Sequence, residues 1–139
     1  MTDAHEGESV RDFLRRRGAS DAAVERGLEG LVEQWERAIE DVARGYPLGL
    51  DDWLNDVDGR QLLEEALGAA SDLERARLRP RLDAADARAR TLLAMRARCL
   101  WGEEVARYHG WDAQRNWWYY AVPREPGPDL AEELEGRDG

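Results

Sequence analysis

The densest run of chemistry-bearing side chains is LDDWLNDVDGRQLLEE, residues 50–65. Asp56, Asp58, Gly59 and Glu65 fall at the third, fifth, sixth and twelfth places of an EF-hand calcium loop. The first place, where a carboxylate is obligatory, is Leu54, and Gln61 takes a place that normally holds a packed apolar side chain. The match therefore reads as coincidence. A different metal could draw on Asp52 and Asp56, one helical turn apart, with Glu65 and His109. Di-metal sites in helical bundles need Glu-x-x-His pairs on separate helices, and neither His5 nor His109 completes one. Ion pairing is the expected use of these acids, from Asp56 to Arg60 at i,i+4 or from the group to an arginine-rich helix. No metal and no cofactor is expected.

Nucleophilic chemistry has little to work with. The serines are Ser9, Ser20 and Ser71, of which at least two stand where helix caps are needed, and no G-x-S-x-G elbow, Rossmann glycine fingerprint or zincin helix occurs. All 20 basic residues are arginine, which removes Schiff-base lysines and the P-loop lysine, and points to the coding bias of a GC-rich bacterial genome. Cys99 is the only cysteine, so there is no internal disulfide and no Cys-based metal cage; within an apolar pattern it reads as a small buried hydrophobe. The residues favour a binding role over catalysis.

A second concentration is aromatic. Seven of the eleven Trp, Tyr and Phe residues lie between Trp101 and Tyr120, and four are adjacent in RNWWYYAVP, Arg115 to Pro123. Aromatic and β-branched content makes this the one segment that predicts a strand. Extended, it would carry Trp117 and Tyr119 on one side and Trp118 and Tyr120 on the other. One side can lie on helices; the other would expose a large apolar patch. A strand also needs a backbone partner, and no second convincing strand is evident. The partner could be the chain's own tail, a second copy of the chain, or another protein. Trp111, Arg115, Trp117, Trp118, Tyr119 and Tyr120 are accordingly the candidate partner-binding residues.

The elements that would position these groups are helical. Residues 8–17 give a short amphipathic helix with Val10, Phe13 and Leu14 inward and Gly18 at its end. Ser20 caps a second, whose apolar positions run Val24, Leu28, Leu31, Trp35, Ile39 and Val42 until Gly45 and Pro47 stop it. Residues 50–69 form a third, which Gly59 would divide if Asp58 and Gln61 made a capping box. From Ser71 the seam Leu78, Leu82, Ala85, Ala89, Leu92 and Cys99 predicts a helix, kinked or restarted at Pro80, that widens through Leu93, Leu100 and Trp101. A further helical stretch ends at Gly110. The expected architecture is a mainly α bundle of about four or five helices with a short C-terminal extended segment. Residues 1–123 make one domain, and 124–139 an acidic, flexible tail holding at most one loose helical turn.

The net charge is −10 and unevenly spread. Residues 71–98 carry eight arginines against four acids, while the segments on either side are acidic. An acidic surface repels phosphate backbones, so nucleic acid is not an expected partner; the GLEG spelling at 27–30 lies inside a helical pattern and does not read as an RNA-binding loop. The basic section should be neutralised by carboxylates on neighbouring helices. No apolar run approaches a membrane span, and the polar, acidic start is unlike a secretory signal, so a cytoplasmic protein is expected. The function expected is protein binding, of the immunity, antitoxin or inhibitor type toward a basic partner. The alternatives are a structural homodimer or, further off, a small metal-dependent enzyme.

Overall fold

The structure is a computed structural model that describes residues 3–138, with side chains from 9 to 136; His5 lies outside the described side chains. Six helices are present among the described residues: α1 (Asp3–Arg16), α2 (Asp21–Ala43), α3 (Leu50–Ala69), α4 (Asp72–Leu92), α5 (Glu103–His109) and α6 (Pro128–Asp138). Two three-residue strands, β1 (Leu93–Met95) and β2 (Ala121–Pro123), pair antiparallel, and a single 3₁₀ turn, Trp117–Tyr120, leads into β2. The chain is a mainly α bundle with a short β segment near its C-terminus, and none of its described helices is long and apolar enough to cross a membrane.

α2 is the central helix and packs against α1, α3 and α4. Its predicted stripe, Val24, Leu28, Leu31, Trp35, Ile39 and Val42, is buried, because apolar side chains three and four residues apart share one face of a helix. Ser20 caps it, accepting from the Ala23 amide at 3.2 Å, and Ser71 caps α4 through the Glu74 amide at 3.0 Å. Gly27 interrupts α2 with φ 62° and ψ −147°, a left-side conformation that a Cβ would oppose, so the helix bends there. In α1, Val10 and Leu14 are buried and Phe13 packs against the core from its edge.

Two predicted breaks do not occur. α3 runs unbroken through Gly59 because Trp53, Val57, Arg60 and Leu63 bury a continuous face on both sides of it. α4 carries Pro80 in its interior, with the proline exposed and Leu78 and Leu82 buried beside it.

The end of α4 departs from expectation in the other direction. The predicted helix through Cys99 stops at Leu92, Leu93 turns extended with φ −110° and ψ 150°, and LAM becomes β1. Its register with β2 is Leu93 to Pro123, Ala94 to Val122 and Met95 to Ala121. Leu and Ala prefer helix, but a run this short is decided by pairing rather than propensity. Cys99 sits beyond β1, buried as expected though not on a helix.

The C-terminal residues read as a loose arm form α6 instead. Leu130 and Leu134 enter the core, and α6 packs on α3. Gly127 makes the approach possible: its amide donates to the Tyr46 carbonyl at 3.1 Å, and a Cβ there would stand 2.6 Å from that same oxygen.

Candidate functional site

The aromatic segment is enclosed by its own chain. WWYY forms the 3₁₀ turn rather than a strand, and all four rings are buried, Trp118 to 1% exposure. The turn points side chains around its axis instead of alternating them, so no ring needs to face water. The backbone is also matched. Arg96 N–H donates to the Tyr120 carbonyl at 2.6 Å, Leu100 N–H to the Tyr119 carbonyl at 2.8 Å, and Arg124 N–H to the Leu92 carbonyl at 3.0 Å. β1, read in the sequence as helix, is the missing strand partner. Trp117, Trp118, Tyr119 and Tyr120, expected as contact residues, are buried in the core, and a second copy is not needed to satisfy their backbone.

α3 supplies the polar ends these rings require. Tyr119 Oη donates to Asp58 at 2.7 Å, and the same carboxylate accepts from Trp101 Nε1 at 3.0 Å. Gln61 Oε1 accepts from Trp118 Nε1 at 3.2 Å and from Asn116 Nδ2 at 3.0 Å, and Trp53 Nε1 donates to the Ala121 carbonyl at 2.9 Å. Tyr46 Oη donates to Asp56 at 2.7 Å. Burial and the adjoining carboxylates push both phenols well above their ordinary range, so each remains a donor. Burial likewise raises the Asp56 carboxyl, with Asp41 and Asp52 adding to the effect, although the Tyr46 hydroxyl opposes it. Behind the turn the rings continue inward: Trp117 meets Trp35 edge-on at 6.3 Å, Trp35 meets Trp53 at 6.5 Å, and Trp53 meets Tyr46 at 5.3 Å.

Arg60 is the buried charge of this region, 3% exposed. It bonds Asp86 through Nε at 3.2 Å and Nη2 at 2.8 Å, and Glu64 through Nη1 at 2.9 Å, while its guanidinium lies 4.2 Å from the Trp118 ring centre. Asp86 also accepts from Trp35 Nε1 at 2.9 Å. The expected Asp56–Arg60 pair is absent because Asp56 turns to Tyr46. Sequence reasoning missed Arg60, whose signal was its position three residues from both Val57 and Leu63 on the buried face. It could not have found Asp86, on another helix.

The minor metal candidates do not converge. Asp52 accepts from the Gly49 amide at the start of α3, Asp56 holds Tyr46, Glu65 pairs with Arg17 and Gln61, and His109 stacks on Trp111 at 4.4 Å. Among the described residues no three His, Cys, Asp or Glu side chains group as metal ligands.

Two of the six candidate contact residues stay accessible. Trp111 is half-buried, stacked between His109 and Tyr119, and Arg115 is exposed, holding Asp112 at 2.7 Å. The Arg115 amide, then the Arg115 side chain and the Gln114 amide, hold the Asp112 carboxyl below its usual range. Tyr108, 86% exposed, extends the same ring column outward against His109.

Charge is distributed in two distinct ways. Between α2 and α4 it is matched as expected: Arg81 bonds Glu36 at 2.7 and 2.8 Å, and Arg88 bonds Glu40 at 2.7 Å. Where α6 meets the start of α3 it is not. Asp51, Asp52, Asp129, Glu132 and Glu133 surround a cavity of about 460 Å³ beside Gly49, and none of them pairs with a cation among the described residues. Glu133 does accept from the Leu50 amide at 3.0 Å, an end cap for α3 supplied from α6. No protein-family model, curated protein or solved structure matches this chain.

Proposed function

We propose that the chain is a non-catalytic binding module for a basic partner protein, in a cytoplasmic setting, as an immunity or inhibitor protein would be. The observation that carries this reading is the acidic face formed by Asp51, Asp52, Asp129, Glu132 and Glu133, none of which pairs with an arginine among the described residues. Five clustered carboxylates repel one another, and a partner bearing Lys or Arg relieves that repulsion on docking. Such a field also speeds capture, most strongly at low ionic strength.

The other clusters of chemistry-bearing groups support no competing enzyme. The α3 carboxylates and amides hold ring hydroxyls and indoles, and the arginines of α4 that face α2 hold its glutamates. The test is capture of partners from the native host's lysate by immobilised protein at low and high salt. The Asp51→Asn/Asp129→Asn/Glu132→Gln variant is run beside wild type. Salt-sensitive capture by wild type that the variant loses supports the proposal, whereas equal capture by both overturns it.

A further inference from the structure

α4 presents arginines in two directions. Arg81 and Arg88 face the α2 glutamates, and Arg75 bonds the Leu67 and Ala70 carbonyls at the end of α3. Arg79 and Arg90 face elsewhere, into a cavity of about 400 Å³ bounded by α3, α4 and the residues leading into the 3₁₀ turn. Arg60 from α3 and Arg115 from the turn's approach line the same cavity, so four guanidiniums from three parts of the chain converge on it.

Three carboxylates also line it, and each already has a partner. Asp86 and Glu64 hold Arg60, and Asp83 lies 3.3 Å from Arg79. Arg115 is held from outside the cavity by Asp112 and donates to the Gly110 carbonyl at 3.1 Å. Arg90 differs from the others. Its guanidinium rests 4.4 Å from the Trp117 ring centre, and no carboxylate among the described residues lies within ion-pair distance of it. A stacked guanidinium keeps its in-plane N–H donors available, and its planar fork matches the two oxygens of a carboxylate or phosphate. The Arg79 and Arg115 pairs are exposed and local in sequence, the kind that contributes little to stability and can be exchanged for a ligand.

We infer that this cavity is a binding site for a small oxyanion, a carboxylate- or phosphate-bearing molecule held by Arg90 with help from Arg79 and Arg115. The buried Trp117–Trp118 pair and the Arg60–Asp86 pair form its fixed wall. Its volume lies within the range of small-molecule sites, about 300–1,000 Å³. The chain's net charge of −10 works against anions at long range, so selection must come from short contacts inside the cavity.

The test is an NMR titration that follows Arg Nε and Trp indole resonances as inorganic phosphate or citrate is added at constant ionic strength set with sodium chloride. Saturable shifts at Arg90 Nε and Trp117 Nε1 are expected. Arg90→Gln should weaken binding about tenfold, the loss of one charge-assisted contact, while Arg88→Gln, which faces α2, should leave it unchanged. Tighter binding of phosphate or of citrate identifies which oxyanion the site favours. Shifts that grow linearly without saturation, or that respond equally to both substitutions, overturn the inference. Circular dichroism of each variant confirms that it is folded.

Discussion

The start and the middle of α3 place polar side chains in opposite circumstances. Along its middle, Asp56, Asp58 and Gln61 each accept a hydrogen bond from a buried ring, and Arg60 locks α3 to α4 through Asp86. At its start, Asp51 and Asp52 meet three more carboxylates from α6 and, among the described residues, no paired cation. The first group is structural because burial makes every unmade hydrogen bond costly; the second is open to water and, beyond the α3 end caps made by Asp52 and Glu133, contributes a field. Residue type alone therefore does not separate scaffold from surface in this chain. Position relative to the 3₁₀ turn does.

The sharpest break in that contrast comes from the rings themselves. Trp118→Ala should cost about 3–5 kcal/mol in chemical unfolding, since it opens a cavity against Trp117 and removes the surface beneath Arg60. A variant of native stability would return Trp118 to the contact-residue reading. Next, Arg60→Ala should cost about 2–4 kcal/mol, because Asp86 keeps only Trp35 as a partner. Arg88→Ala, on the exposed α2–α4 side, should leave the denaturation midpoint essentially unchanged. Equal losses at the two arginines would erase the distinction between matched surface charge and buried charge.

Asp58→Ala is expected to cost about 1–3 kcal/mol by stranding the Tyr119 hydroxyl, with partial rescue in Asp58→Asn, whose amide oxygen still accepts. Full destabilisation in Asp58→Asn would show that charge, not acceptance, is required.

A smaller effect concerns pH. Asp56 has its folded value raised above the ordinary 3.8, so folding favours its protonated form. That contribution is complete below the ordinary value and is lost as pH rises through the raised one. Asp56→Asn carries no such titration, so its stability relative to wild type should improve as pH is taken from 3 to 7. A difference that stays flat across that range would mean the carboxylate is not strained by burial.

Much of the bundle was legible because helices announce themselves locally. The α2 stripe, the Ser20 and Ser71 caps and the stop at Gly45 depend on residues within a few positions of one another. The aromatic seam was not legible in the same way. Asp58 meets Tyr119 across 61 positions, and Arg60 meets Asp86 across 26. β1 was hidden because LAM has helical preferences and becomes a strand only when β2 lies beside it. Once its partner was missed, the WWYY segment looked stranded and its rings looked exposed. The fate of α6 was obscured for a related reason: its acids dominate the composition, while Leu130 and Leu134, which anchor it, are only two residues. Of the six candidate contact positions, sequence chemistry anticipated the accessible Arg115 and Trp111 along with four that proved to be core.

The smallest structural effect and the largest functional one are expected at the same place. Neutralising the acidic face with Asp51→Asn, Asp129→Asn and Glu132→Gln together should leave the thermal midpoint at or slightly above wild type, since none of the three makes an ion pair among the described residues and their mutual repulsion is reduced. The decisive measurement is partner capture by this triple variant and by Asp58→Ala, each at a temperature where it is folded. The triple variant should lose low-salt capture while Asp58→Ala keeps it. Retention by the triple variant, or loss confined to Asp58→Ala, would contradict the assignment of one end of α3 to recognition and its middle to the fold.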